Sequence, residues 1–369
     1  FRNYNRIAIP GDVIAGDRKT DPNYDGVNVY GDETSVDIRA FFGNIAANLP
    51  GAANFINANG LLSTPQNVSR TGYTEREILN PNTINLKLGA SAHYKITENT
   101  EAVFAAYWGT GNTIYTGSDR YSLKDFKMGQ YKFELNSKNW SFRAYTTQEN
   151  AGEAFNTTAT TRLFNESWKK SVTTDAVGNP TPQSTDWYIQ YAFSYLSNRM
   201  NGMTAYDAHQ ASRTLADVGR PAANSVAFRT GFDAIRKKPI SQNGGALLDK
   251  SDLYAFEGTY NLTPITKKYA DVIVGANYKK YLLNSQGTLF ADSSEAISIY
   301  ELGAYAQATR KINNRLSVSA SGRVDKNQNF KGRFTPRVTA LFKVAKNNNL
   351  RFSYQTAYRF PSNQMQFIN

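Results

Sequence analysis

Apolar and polar side chains alternate with a period of two through long stretches of this chain. That pattern commits them to β-strands with one greasy face and one wet face. Segment 86–96 puts Leu86, Leu88, Ala90, Ala92, Tyr94 and Ile96 on one side and Lys87, Gly89, Ser91, His93 and Lys95 on the other. Segment 316–324 sets Leu316, Val318, Ala320, Gly322 and Val324 against Ser317, Ser319, Ser321 and Arg323. Segment 350–358 sets Leu350, Phe352, Tyr354, Thr356 and Tyr358 against Arg351, Ser353, Gln355 and Ala357. Weaker versions of the pattern predict strands at 102–108, 128–135, 140–147, 252–262, 270–281, 300–309 and 334–344. Strands of a parallel α/β sheet are apolar on both faces, so that class is excluded.

The links between these segments alternate in length. Those at 97–101, 136–139, 263–269, 310–315 and 345–349 are short and rich in Asn, Lys and Thr, which suits turns. Those at 109–127, 148–251, 282–299 and 325–333 are longer. A soluble sandwich has no reason to collect its long loops at one end. An outer-membrane barrel does, with short periplasmic turns and long extracellular loops. Its apolar face meets lipid, its polar face lines a wet lumen, and closure pairs every backbone group. The fold class expected is therefore all-β, a transmembrane antiparallel barrel of which this chain supplies about ten strands. On this parity strand 86–96 runs inward and 350–358 outward, which predicts at least one further strand before residue 86 and more after 369.

Composition agrees. The longest apolar run, Ala102 to Trp108, is far short of the roughly 20 residues of a spanning helix. Aromatics at 13% exclude a disordered chain, and the absence of Cys excludes disulfides and thiolate metal sites. The 42 Lys and Arg against 30 Asp and Glu give a net charge of +12, but the basic residues are scattered, which argues against nucleic acid as a partner. Phe1 to Asn5 has neither the charged nor the apolar region of a secretion signal, as in a chain whose leader was removed or an internal piece of a longer protein. Residues 1–85 are expected to hold the first barrel strand or strands and an extracellular loop, and 86–369 the barrel segment proper. Within it, 148–251 reads as a long extracellular loop with a helical stretch from about Trp187 to Val218; a small inserted domain is the alternative.

Several stretches resemble a known family. They are YDGVNVYGDE (24–33), SRTGYTERE (69–77), the hairpin over 117–155, the run YELGAYAQATRKINNRLSVSASGRVDKNQNFKGRFTPRV (300–338) and LRFSYQTAYRFPSN (350–363). Together they are similar to the β-barrel of TonB-dependent outer-membrane receptors of the Bacteroidota type. The spaced pattern is Arg323, Asp325, Phe334, Pro336, Arg337, Leu350, Arg351, Ser353, Tyr354, Arg359 and Pro361. The resemblance implies an outer-membrane importer with a barrel of about 22 strands filled by a plug domain. A coupling segment before the plug would meet the inner-membrane TonB complex, and a surface lipoprotein is a further conceivable partner. Neither plug nor coupling motif is visible in this sequence. The cargo implied is a nutrient such as a siderophore, glycan or peptide, moved without covalent chemistry. Two rival readings stay open: a surface adhesin or scaffold of a larger outer-membrane assembly, and a soluble β-rich carbohydrate-active enzyme.

Candidate site residues fall into three groups. Lys87, Lys95, Lys132, Glu134, Arg143, Glu257, Arg323, Arg337 and Arg351 all have the polar parity and would face the lumen and plug as charge ladders. Tyr115, Tyr121, Phe155, Phe164 and Trp168 lie in expected outer loops, where amphipathic rings could hold a sugar or peptide. Asp21, Asn23, Asp25 and Asp32 have the spacing of a calcium loop without its flanking helices; an ordinary surface turn is the rival. Gly109 to Ile114 starts like a dinucleotide fingerprint but lacks the third glycine and reads as a loop top. His93 and His209 do not suggest a metal pair, and the carboxylates Asp32, Glu33, Asp292 and Glu295 are expected in loops rather than across a cleft. No catalytic constellation is expected.

Overall fold

The computed structural model describes residues 21–26, 28–80, 82–117 and 119–368. In chain order, two short strands, β1 (Val29–Tyr30) and β2 (Ser35–Asp37), precede helices α1 (Arg39–Asn48) and α2 (Ala52–Ala58). Strands β3 (Asn67–Ser69) and β4 (Tyr73–Thr74) and the single turn α3 (Glu75–Ile78) follow. Four long strands come next: β5 (Asn85–Thr97), β6 (Thr100–Thr116), β7 (Arg120–Ser137) and β8 (Trp140–Asn150). The short β9 (Phe155–Asn156) leads into helices α4 (Thr157–Trp168), α5 (Trp187–Met200), α6 (Ala205–Ala216) and α7 (Val226–Arg236). Then come β10 (Asp252–Asn261), the turn α8 (Thr263–Thr266), β11 (Asp271–Leu283), β12 (Ile297–Lys311), β13 (Leu316–Asn327), β14 (Arg333–Ala345), β15 (Asn348–Gln355) and α9 (Asn363–Phe367). Among the described residues no helix is long and apolar enough to cross a membrane.

The chain divides into two compact units. One comprises residues 83–113, 123–154 and 247–369, and its frame is an antiparallel meander in which β5, β6, β7, β8, β10, β11, β12, β13, β14 and β15 each bond to the next. All ten segments with alternating patterning form these ten strands. Directly paired residues share a face, so the register traces one apolar surface from strand to strand. One row of it runs Phe133, Ala144, Phe256, Tyr278, Leu302, and another Ala308, Ala320, Val338, Tyr354. Large side chains stay exposed there, among them Leu88, Phe104, Phe256, Leu302, Phe352 and Tyr354. A soluble sheet would cover them; a barrel wall gives them to lipid.

The other unit comprises residues up to 82, 114–122 and 155–246. It has two cores: one joins Phe42, Ile45 and Val68 to Trp187, Tyr191 and Leu196, and the second joins Tyr30 and Tyr73 to Phe155, Phe164, Phe228 and Phe232. Helices α4, α6 and α7 start on side chains that satisfy orphan N–H groups: Asn156 accepts from Ala159 N, Thr204 from Asp207 N and Ser225 from Phe228 N. Segment 148–251 is thus more helical than a single helical stretch would make it, and most of it belongs to a unit with its own cores. The described part of 1–85 holds only strands of two or three residues, in two-stranded pairings β1–β4 and β2–β3, and no barrel strand. The first 20 residues lie outside the described part. The expected long link at 109–127 is also different: β6 and β7 extend through most of it, and Gly109 to Ile114 is strand, not loop. Here the period of two continues but both faces are mixed, so polarity alone hid the strand.

Candidate functional site

The polar face of the meander carries the predicted charged row, and register places its members. Glu134 pairs with Arg143 and Arg143 with Glu257. Arg323 is opposite Tyr305, Arg337 opposite Ser321, and Arg351 opposite Leu341. Lys87 and Lys95 share their parity with Lys132 only through strand alternation, lying opposite Gly109 and Glu101. All nine therefore project from the face away from the apolar surface.

Four of them form a ladder across β7, β8 and β10. Lys132 Nζ lies 3.2 Å from Glu134 Oε1, which lies 3.7 Å from Arg143 Nη1. Arg143 Nη2 donates to Glu257, and its guanidinium sits 5.8 Å from the centroid of the Tyr145 ring. Charges alternate along this ladder, so each lowers the cost of its neighbours, and the partly exposed geometry keeps each pair weak and exchangeable.

A second cluster was only half legible. Arg323 forks onto Asp325, Nε to Oδ2 at 2.7 Å and Nη2 to Oδ1 at 2.6 Å, and Nη2 also reaches Asn277 Oδ1 at 2.8 Å. Asn327 Nδ2 holds Glu301 Oε1 at 3.0 Å. Arg323, Asp325, Asn277 and Glu301, with Lys279 and Tyr358, line a hollow of ≈ 350 Å³. Gly303 makes the convergence feasible: a Cβ there would lie 2.4 Å from Arg323 Nη2 and 2.5 Å from Asn277 Oδ1 and Asp325 Oδ1. Arg323 was singled out from sequence, whereas Asn277, Lys279 and Tyr358 were not. Parity on β11 was the signal for Asn277 and Lys279, which register sets opposite Gly303 and Glu301; Tyr358, expected on the apolar face of a strand over 350–358, lies past the end of β15 at Gln355 and lines this hollow instead.

The five aromatic candidates separate. Tyr115 and Tyr121 stack at the tip of the β6–β7 hairpin with ring centroids 6.2 Å apart, Tyr115 being exposed. Phe155 and Phe164 are 3% and 2% exposed inside the second core and present no surface to a ligand. Trp168 is half-buried; its Nε1 donates to Asn165 Oδ1 at 3.1 Å and the Arg70 guanidinium lies 5.1 Å from its ring. Ordinary packing takes all but the tyrosine pair.

In the acidic loop, Asp21 Oδ1 accepts from Asn23 N at 2.9 Å and Asp32 Oδ2 from Gly26 N at 2.9 Å, which uses their oxygens to fix the turn. Among the described residues no group of three or more His, Cys, Asp or Glu is placed to hold a metal. Asp292 likewise clamps its own loop, accepting from Ser285 Oγ at 2.7 Å and Gly287 N at 2.6 Å. His93 is in the sheet beside Glu101 at 3.1 Å, whereas His209 is in the helical unit. Burial, followed by the charges of Arg213 and Arg199, pulls His209 down to about 4. It stacks on Tyr195 with centroids 4.3 Å apart and shares a 3.0 Å hydrogen bond with the Tyr191 hydroxyl.

Comparison with known proteins closes the description of the site. The family model of the TonB dependent receptor-like β-barrel matches residues 176–369. Among solved structures, the siderophore receptor PirA from Acinetobacter baumannii aligns with TM-score 0.42 at 11% identity, covering 77% of this chain and 34% of that one. The ferric enterobactin receptor PfeA from Pseudomonas aeruginosa aligns with TM-score 0.42 at 11% identity, covering 76% and 34%. The chain thus spans about a third of the length of those receptors. No curated protein matches it.

Proposed function

From the premise that this chain belongs to the family of TonB dependent receptor-like β-barrels, we propose that the protein of which it forms the barrel wall imports a nutrient across the outer membrane, with energy drawn from the inner-membrane TonB complex. Members of the family reside in the outer membrane and cross it with strands, which agrees with the two-faced meander. The observation that carries the proposal is the polar wall. One face of ten neighbouring strands bears the ladder Lys132–Glu134–Arg143–Glu257 and the hollow around Arg323, while the opposite face is predominantly apolar, with rows such as Phe133, Ala144, Phe256, Tyr278 and Leu302. A purely structural barrel needs the apolar face; it has no need of a charged hollow on the other.

In this reading the long segments and the upper wall capture the cargo, a plug supplied by the rest of the protein blocks the lumen, and its rearrangement lets cargo through. No bond of the cargo is made or broken. A charged, exchangeable ladder suits a surface that must release both plug and cargo, because each partly exposed pair is worth only ~0.2–1 kcal/mol. The cargo class is a siderophore, glycan, peptide or similar nutrient.

The test is growth of a deletion strain on a panel of such nutrients. The expected result is loss of growth on one of them, restored by the full-length gene and not by the gene lacking its coupling segment. Restoration by both would remove the energised step and leave a passive pore or scaffold.

A further inference from the structure

The apolar face is not uniform. Ala90 of β5, Ala106 of β6 and Ala144 of β8 form a floor of methyl groups, and Phe104, Phe133 and Phe256 rise beside them. They enclose an open trough of ≈ 650 Å³ that runs over five neighbouring strands, β5 to β8 and β10. At ~4.8 Å between strands it is ~19 Å long, the scale of a fatty acyl chain.

The row bordering the trough is different in kind. Register aligns Tyr131, Thr146, Tyr254, Lys280 and Tyr300 as successive cross-strand neighbours on the same face. This row lies on the side of the longer links, hence toward the outer leaflet. A band of tyrosines is what a membrane–water boundary selects, since their rings are greasy and their hydroxyls are wet. Lys280 is the exception. It stands on the lipid-facing side, half-buried beside Tyr254 and Tyr300, and among the described residues it has no ion-pair partner. Asp252, one row further out on this face, accepts a 3.4 Å hydrogen bond from the Tyr254 hydroxyl. An unpaired ammonium at the edge of hydrocarbon calls for an anion that arrives with the lipid.

We propose that this surface is a lipid site: a phosphate of lipid A, the phosphorylated glycolipid of the outer leaflet, pairs with Lys280 among the row's hydroxyls, and one of its acyl chains lies in the alanine-floored trough. The inference rests on the outer-membrane placement given above but not on import, since the apolar surface faces away from whatever fills the lumen. The chain of contacts is simple. The alanines supply depth, the phenylalanines supply walls, and the lysine supplies the only charge complementarity to an anionic headgroup that this row offers.

The test is native mass spectrometry of the full-length protein extracted from outer membranes in mild detergent and titrated with lipid A or with phosphatidylglycerol. Wild type is expected to retain lipid A in preference. Lys280→Gln should weaken that retention about tenfold, the scale of one charge-assisted hydrogen bond, and Ala144→Phe should do so by filling the floor. Lys326→Gln should not, because Lys326 on the same face already donates to the Phe330 carbonyl. Equal retention in wild type and Lys280→Gln, or a preference for phosphatidylglycerol, would overturn the site, as would a stoichiometric second protein found in the trough. If Ala144→Phe loses the heat-resistant gel mobility of a folded barrel, Ala144→Leu replaces it. A chain that stays folded without detergent would sink the barrel reading itself, whereas a detergent-soluble barrel indifferent to lipid would sink the lipid site alone.

Discussion

His209 illustrates how a single side chain reports its surroundings. Buried against Tyr195 and Tyr191, it is held to about 4, below its ordinary value near 6.5, so the folded chain binds fewer protons than the unfolded one between those limits. Stability is therefore full above pH 6.5, falls as pH drops toward 4, and is then lower by about 3 kcal/mol. Thermal unfolding followed by the fluorescence of Trp187, which lies in the same core, should show this slope, and His209→Gln should flatten it. A second residue-level expectation concerns Gly31. It adopts φ +87°, and a Cβ there would lie 2.6 Å from Asn165 Nδ2, the group that donates to the Gly31 carbonyl at 3.1 Å. Gly31→Ala should cost about 1–3 kcal/mol, read as a lower melting temperature of the same fluorescence signal.

Among elements, the barrel strands express a rule that neighbouring substitutions can check. Ala320 pairs with Val338 on the apolar face, and Ser319, one residue earlier, pairs with Thr339 on the polar face. Ala320→Lys should destabilise the folded barrel by about 2–4 kcal/mol in bilayers, whereas Ser319→Lys should be tolerated. Urea unfolding in lipid vesicles reads both. The same parity made these strands legible: at Leu316 to Val324 or Leu350 to Tyr354 every second residue declares its face. The helical unit was not legible in that way. Residues 39–58 carry Phe41, Phe42, Ile45 and Ile56 at helical spacing, but Asn and Gly interrupt them. The strands beside them are too short to alternate. Above all, their partners lie over a hundred residues away: Arg213 donates to the carbonyls of Ser69 and Pro22 at 2.8 and 2.9 Å, and Tyr188 to that of Thr34 at 2.9 Å. No local pattern encodes such contacts. Phe155 and Phe164 misled for the same reason, because a core residue of an inserted unit and a ligand-holding loop aromatic look alike until the unit's core is known. At the charged hollow, Arg323 and Asp325 were conspicuous by spacing, and Lys279 acquired meaning only once register set it opposite Glu301.

For the molecule as a whole, the two longest links of the meander, 151–251 and 284–296, leave it at the same end and so assign sides of the membrane. The chain contains no cysteine, so an introduced one is a unique probe within it. Val177→Cys, at a position 86% exposed, should react with a membrane-impermeant maleimide on intact cells. Lys346→Cys, in the link between β14 and β15, should react only after the outer membrane is opened. Labelling in the reverse order would invert the topology. The helical unit has a further consequence, because it is assembled from three separate stretches of chain. Residues 21–82 are synthesised before Trp187, Tyr188 and Leu196, which cover Phe42 and Val68 and follow more than a hundred positions later. During that interval the early segment travels with its sticky side uncovered. Protease trimming of stalled intermediates is therefore expected to begin within it.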